Sequence, residues 1–438
     1  MIKSPTWDLK LILFIFLLAG LVTFTMVYWA NQLNSDSRNF LTKFELGFWA
    51  IPIFCSNFIF LGIGILHYKK RLPLMFNKLI TYVFQFEISK KIAWITIVII
   101  LSLYVVVNLN GLQQEESFVD TPASKAFVKG WQLQLSNWII GANLKYFFLH
   151  YSLLIFHNVR IIPFLVSISI VIFTYLLTVS ISKKRFAGIV AMVTLLQSTL
   201  FFKYASTSTY ENSWILFYLV SLYLIRRWYL SVFSYILSLM SKGLTAIFFP
   251  MSLFFIIRSD STKKEKIMAL IFYTLIIAYI AISFFTNNTQ ISTNTVTFHD
   301  KEFLTGFSSV ESFLKFDGLI LILMIPIIVG LFIKSRKGIK QADSIMILIA
   351  GILLVSPLLV GFTDMINSDY RMIPLVVFFA IGLGTILSNE TEKTASSKKH
   401  EIVTYCVFAI ALILVILTIT QVIFPHFILR QYRVVMTE

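Results

Sequence analysis

Charge is what this chain has least of. Asp, Glu, Lys and Arg make up 13% of its 438 residues, about half the share found in an ordinary soluble domain. Cysteine is nearly absent. Cys55 and Cys406 lie in different apolar segments, which argues against a disulfide framework and against a thiolate metal centre. No Gly-rich phosphate loop, no His-Glu-x-x-His and no Gly-x-Ser-x-Gly occurs, so the motif-borne chemistries of nucleotide, zinc and serine enzymes have no foothold. Internal repeats and low-complexity tracts are lacking too. So are strands that alternate polar and apolar residues, which excludes an outer-membrane barrel.

What is present is apolar length. The chain is 58% hydrophobic with a mean hydropathy of +0.83, and long apolar runs recur from end to end. This pattern predicts an all-α fold, a polytopic transmembrane helical bundle in which one bundle uses the whole chain. About thirteen spans are expected, at 9–30, 48–67, 92–109, 160–181, 186–203, 212–226, 229–240, 244–257, 266–285, 318–334, 343–361, 372–388 and 402–424. The pair 229–240 and 244–257 is too short for two full spans of ~20 residues. Ser241-Lys242-Gly243 breaks it, so a tilted or partly inserted hairpin is expected there. The first run has a basic start and no small-residue cleavage site, and reads as a retained helix. The expected organisation is an N-terminal pair of helices with a basic interfacial segment (1–91), a transmembrane core (92–388) and a linker with a last helix (389–438). No appended soluble domain is expected.

The net charge of +16 comes from 37 Lys and Arg against 21 Asp and Glu. No basic domain carries it, which excludes nucleic acid as a partner. The cations fall in short loops instead. With the N-terminus cytoplasmic, the loops holding Lys69–Arg71, Lys183–Arg185, Arg226–Arg227, Arg258–Lys266, Lys334–Lys340 and Lys393–Lys399 all land on the inner side, as the positive-inside rule requires. Only the tail, with Arg430 and Arg433, falls outside. The stretch 72–88 reads as an inner interfacial segment. The stretch 131–157 is apolar but interrupted by Asn137, Asn143, Lys145, His150 and His157. Counting it as a span would reverse every later loop, so it is expected to lie as amphipathic helices in the outer interface. Short loops and no retention signal at 435–438 favour a prokaryotic plasma membrane.

Acids collect on the outer side, in the long stretches 110–159 and 286–317 and in two short loops. Glu115, Glu116 and Asp120 follow an apolar helix directly. A carboxylate beside a bilayer suits a general base, or a ligand for a divalent cation that binds a phosphate, though no particular metal is specified. An ordinary solvated loop is the plain alternative. Glu211 opens the span 212–226, where it serves either chemistry or the helix dipole. Lys242 interrupts the short hairpin, as a snorkelling lysine or as a cation for a phosphate. Tyr370 and Arg371 open the span 372–388. Arg371 suits bidentate phosphate binding, or pairs with Asp369 or a headgroup. Arg160, with His157 and Asn158, opens the span 160–181 and reads first as a structural or headgroup contact. His299-Asp300 does not specify a metal site, and Asn287-Asn288-Thr289 is a glycosylation sequon.

Without a nucleotide site, an enzyme of this composition must take an activated, membrane-borne substrate. A polyprenyl-phosphate-linked sugar meets that demand. Its lipid lies in the bilayer, its phosphate beside outer cations and its sugar in an outer pocket lined by carboxylates.

Between about residues 92 and 388 the chain resembles the GT-C superfamily of membrane glycosyltransferases, of the protein O-mannosyltransferase and aminoarabinose-transferase type. The resemblance rests on an ordered set of short pieces: Glu115-Glu116 through Asp120 to Ala123 and Lys129-Gly130, then Asn158-Val159-Arg160, Lys183-Lys184-Arg185-Phe186-Ala187-Gly188 and Tyr210-Glu211-Asn212. Lys242-Gly243 through Pro250 and Tyr370-Arg371-Met372-Ile373-Pro374 complete it. It implies a GT-C-like core preceded by two extra helices. Glu115 or Glu116 (where the family usually has Asp), Asp120 and Glu211 would be catalytic, and Lys242, Tyr370, Arg371 and Arg160 would meet the lipid phosphate. The acceptor would be a protein, lipid or glycan. A lipid-linked glycan polymerase or ligase shares this outer-face chemistry. A transporter or flippase would need mid-bilayer charge and repeats, and a structural membrane subunit would use the two extra helices.

Overall fold

The structure is a computed structural model, and it describes residues 47–113, 128–130, 143–208, 211–286, 317–363 and 369–388, with part of 402–413. Among these residues the fold is helical throughout, with no strand. The helices are α1 (Gly47–Tyr68), α2 (Leu74–Gln85), α3 (Lys90–Gln113), α4 (Asn143–Phe156), α5 (Ile161–Ser182), α6 (Arg185–Leu196) and α7 (Thr199–Tyr204). They continue as α8 (Glu211–Tyr223), α9 (Trp228–Ser241), a 3-10 turn (Gly243–Phe248), α10 (Phe249–Arg258) and α11 (Lys263–Thr286). The last are α12 (Gly318–Arg336), α13 (Gln341–Thr363), a second 3-10 turn (Asp369–Met372) and α14 (Ile373–Ile386). The expected segments 9–30, 131–142 and 414–424, the acids Glu115, Glu116 and Asp120, the dipeptide His299-Asp300 and the sequon 287–289 lie outside the described residues.

Three described helical segments, Lys90–Leu109, Ile161–Ser182 and Lys263–Ile282, are long and apolar enough to cross a membrane. Seven others are apolar but shorter. The outward faces match that composition. On α3, Ile95, Val98, Ile99, Leu103, Val106 and Val107 are exposed, while Ala93, Ile97, Ile100 and Tyr104 are buried. This face-on apolar exposure would be an aggregation hazard in water and is ordinary against lipid. An all-helical fold among the described residues is compatible with a membrane, because a helix satisfies its own backbone where no water can.

The main core is one large cluster, and α14 runs through its middle; a second, small cluster of Val128, Leu149 and Val159 stands apart. Residues Ile373–Gly382 are all buried, because α14 packs against α5, α6, α12 and α13 at once; a helix apolar on every face belongs in such a place. Its approach to α6 depends on Gly384. A Cβ there would lie 2.6 Å from the Ala187 carbonyl oxygen and 2.6 Å from Thr178 Cγ2. Hydroxyls tie the apolar helices to one another. Tyr104 donates to Ser167 Oγ (3.0 Å), Tyr218 to Ser252 Oγ (2.9 Å) and Tyr273 to Ser231 Oγ (3.0 Å). The first described helix is joined in the same way: buried Asn57 on α1 accepts from the backbone N–H of Ile325 on α12 at 3.1 Å.

Contacts between loops sort the polar residues into two ends. At the basic end, Lys184 Nζ donates to the Phe84 carbonyl, and Arg185 Nη1 donates to the Ile88 carbonyl at 3.1 Å. Lys183 meets Asp260, and Arg258 pairs with fully buried Asp343 at 3.0 Å. Lys334 Nζ donates to the Ser388 carbonyl at 2.6 Å. Four of the predicted basic loops therefore meet in space. Helices α3, α5, α10, α12 and α14 each begin or end here and run to the opposite end.

Two expected segments take a more broken form. The run 186–203 is two helices, α6 and α7, parted at Gln197-Ser198. Ser198 accepts from the Phe201 N–H at 3.1 Å, and Asp317 Oδ1 accepts from the Thr199 N–H at 2.8 Å, so the new helix start is fully capped. The short pair 229–257 does traverse between the ends, as α9 going one way and the 3-10 turn with α10 returning. Lys242 stands at the break in extended conformation, φ −158° and ψ 111°. Within the stretch 72–88, α2 has no buried residue and exposes Leu74, Met75, Phe76 and Leu79, whereas Phe86 and Ile88 after it are buried.

Candidate functional site

The end of the bundle opposite the basic loops gathers most of the sequence-predicted residues. Its frame starts at the C-terminus of α3. Arg160 Nη1 donates to the Gly111 carbonyl at 2.5 Å, and Asn158 Nδ2 donates to the Leu112 carbonyl at 2.8 Å. Both acceptors are among the last carbonyls of α3, which have no partner within their own helix. Asn158 is itself fixed, since its Oδ1 accepts from the Arg160 N–H (2.8 Å) and its carbonyl accepts from Ser152 Oγ (2.6 Å). Arg160, 7% exposed, therefore acts first as a clamp on the helix that leads into Glu115 and Glu116.

The clamp joins a second group of loops. A Cβ on Gly111 would stand 3.8 Å from Ser206 Oγ, so the end of α3 lies against the segment between α7 and α8. Asn212, in the first turn of α8, donates from Nδ2 to the Tyr204 carbonyl (2.9 Å) and reaches the Ala205 carbonyl (3.3 Å). This holds the start of α8, where Glu211 is the first residue, against the C-terminus of α7. The side chain of Glu211 lies outside what is described. The Tyr204 ring then packs edge-on against Tyr370, centroids 5.8 Å apart. Lys242 Nζ sits 6.0 Å from the centroid of the same Tyr370 ring, within the range of cation–π attraction.

Arg371 shares the 3-10 turn with Tyr370, and its buried Nε has no hydrogen-bond partner among the described residues. A buried guanidinium nitrogen left in that state normally has an acceptor to find. So Lys242 lies beside Tyr370, Arg371 shares the turn of Tyr370, Glu211 starts the helix tied to Tyr204, and Arg160 anchors the end of α3, which precedes the acids in sequence. Among the described residues no group of three or more His, Cys, Asp or Glu could hold a metal ion; Glu115, Glu116 and Asp120 stand outside that statement.

Two residues at this end were not singled out from sequence. Lys145 on α4 is only 6% exposed and lines a small cleft with Asn212 and Ser213, the first turn of α8. In sequence it reads as one of several polar interruptions of an apolar stretch; its burial depends on α4 packing against α5 and α9. Asp317 is fully buried and caps α7. It accepts from Ser198 Oγ at 2.9 Å and from the Thr199 backbone and hydroxyl at 2.8 and 3.2 Å. Burial pushes its carboxyl up to about 6, against the opposing pull of those donors and of the Leu200 backbone. Asp317 is a structural acid, held 118 residues away in sequence from its partners.

Comparison of the chain with protein-family models, with curated proteins and with solved structures gives no match.

Proposed function

We propose that this chain is a multi-pass membrane glycosyltransferase of about thirteen spans, a GT-C-like core preceded by two extra helices. It moves a sugar from a polyprenyl phosphate to an acceptor hydroxyl on the outer face of a prokaryotic plasma membrane. The observation that carries this reading is the line of contacts at the end opposite the basic loops. It runs from the clamped C-terminus of α3 through Ser206, Asn212 and Tyr204 to Tyr370, Lys242 and Arg371. Arg160, Lys242 and Arg371, chosen from sequence as cations and up to 211 positions apart, lie along this line.

In this reading Glu115 or Glu116 takes the proton of the acceptor hydroxyl, with Asp120 as the third candidate. The acceptor oxygen then bonds to the anomeric carbon. The bond from that carbon to the donor phosphate oxygen breaks, and its electron pair leaves on the lipid phosphate, so the configuration inverts. Lys242 and Arg371 neutralise the charge that develops on the phosphate, which is where fixed cations lower a barrier most. Tyr370 holds Lys242 in place through its ring. Glu211 orients the sugar or the acceptor, or helps to hold a divalent cation if one is used.

The test is release of polyprenyl phosphate from a panel of polyprenyl-phosphate-linked pentoses and hexoses, with purified chain and a membrane extract as acceptor. The double variant Glu115→Gln/Glu116→Gln is expected to slow release by about 10²–10⁴-fold, the usual contribution of a general base. Glu211→Gln, Lys242→Met and Arg371→Met are each expected to reduce it. Release that is undiminished in both carboxylate variants, or no release from any donor, would overturn the reading.

A further inference from the structure

At the basic end, α1, α2 and α12 enclose an open groove of about 750 Å³, closed on one side by the end of α14 at Ile386 and Ser388. That volume is in the range of ligand sites, about 300–1,000 Å³. Its composition is divided along its length. One part is an apolar wall, with Phe60, Ile63, Ile80, Val329 and Ile333 among its residues. The other part carries Lys70, Lys334, Lys337 and His67. No acidic residue is among the described residues that line it.

The polar part is built rather than loose. His67 Nδ1 is hydrogen-bonded to Asn77 Oδ1 at 2.7 Å, and its ring stacks on Phe84 at 5.8 Å. Lys334 Nζ lies 5.1 Å from the Phe84 ring centroid, and Lys337 Nζ lies 5.2 Å from that of Tyr68. Aromatic faces and the Ser388 carbonyl thus hold the two ammonium groups in place, Lys334 being itself buried. The helix on the far side, α2, has no buried residue of its own. It is fastened mainly at its C-terminal end, where Phe86 and Ile88 enter the core and Lys184 Nζ binds the Phe84 carbonyl. An amphipathic helix set across an apolar groove without burying a residue lacks the packing that usually holds such a helix.

We infer that this groove is a specific site for one anionic phospholipid, its phosphate on Lys70, Lys334 and Lys337 and an acyl chain along the apolar wall between α1, α2 and α12. Charge complementarity selects the anionic headgroup, since three lysines and, among the described residues, no acid line the groove. The apolar wall selects a lipid over free phosphate, which has no use for it. Anionic lipids are also what a cation cluster at the inner surface of a membrane meets. The bound lipid supplies the missing contact surface of α2 and joins the α1–α2 pair to α12. This inference does not depend on the transferase reading, because it concerns the other end of the bundle.

The experiment uses the full chain purified in detergent and delipidated. Dioleoylphosphatidylglycerol and dioleoylphosphatidylcholine are titrated separately, with bound lipid counted by native mass spectrometry. One phosphatidylglycerol per chain is expected to bind well before any phosphatidylcholine. Lys70→Gln/Lys337→Gln is expected to weaken that binding about thirty-fold, from about fivefold per surface cation. Gly64→Phe gives an independent check that leaves every cation in place. Gly64 lines the groove, and a Cβ there meets nothing within 4 Å, so the position is open to a larger side chain. It is expected to abolish the tight site, whereas Lys263→Gln/Lys264→Gln on another basic loop leaves it intact. Equal binding of the two lipids overturns the inference, as does unchanged phosphatidylglycerol binding in both groove variants. Displacement of the lipid by millimolar glycerol phosphate would show an anion site only, and would overturn it as well.

Discussion

Asp317 is fully buried and meets three donors from Ser198 and Thr199. Its carboxyl is pushed up to about 6 from an ordinary value of 3.8, with burial as the largest cause. A group raised in the folded state contributes stability that is complete below its unfolded value and is lost as pH rises through the folded one. The window is therefore about pH 4 to 6, and the loss across it is on the order of 3 kcal/mol. The expected outcome is that wild type loses thermal stability in detergent between pH 4 and pH 7 relative to Asp317→Asn, which carries no titrating group there. A difference that stays flat, or that grows in favour of wild type, contradicts this. The sequence placed Asp317 in a polar outer stretch and nothing more, because its donors lie 118 residues away. Lys242 and Tyr370 make the same point. Each was picked out by type and by its place at a span boundary, but their pairing across 128 residues follows only from where the fold sets the end of α9 and the 3-10 turn before α14.

At the scale of elements, most of the longer helices were legible from apolar length, since each apolar run stands between polar or basic residues. Their interruptions were less so. The break at Gln197-Ser198 has no proline or glycine to mark it, and it exists because Ser198 and Asp317 together cap a new helix start. The central helix α14 depends on a small residue at its crossing with α5 and α6. Gly384→Val would place methyl groups where the Ala187 carbonyl and Thr178 Cγ2 already stand. Overpacking of this kind costs about 1–3 kcal/mol or more, so a clear fall in melting temperature is expected in detergent, with Gly384→Ala intermediate. Gly62→Ala, at a position where a Cβ meets nothing within 4 Å, is the matched control. If Gly384→Val melts like wild type, the close crossing of α14 and α6 is wrong.

Across the whole molecule, the two polar ends give the proposed orientation a direct test. In a chain freed of Cys55 and Cys406, a membrane-impermeant maleimide on intact cells is expected to label Lys129→Cys. Lys264→Cys and Lys340→Cys, at the basic end, are expected to react only after permeabilisation. Labelling of all three from the same side would break the orientation and the outer-face transferase reading with it. Composition and the long unalternating apolar runs together pointed to a helical chain suited to a membrane, because a helix satisfies its own backbone and a barrel would need alternating strands. The loop cations determined which residues belong to one end, since the charge bias is written into local sequence. What tertiary structure alone decided is which residues touch. Arg160 as the clamp on α3, Lys242 beside Tyr370, buried Lys145 and the basic groove between α1, α2 and α12 all arise where helices distant in sequence cross. Such crossings are set by side-chain volume and by long-range hydrogen bonds, and no local pattern in the sequence encodes them.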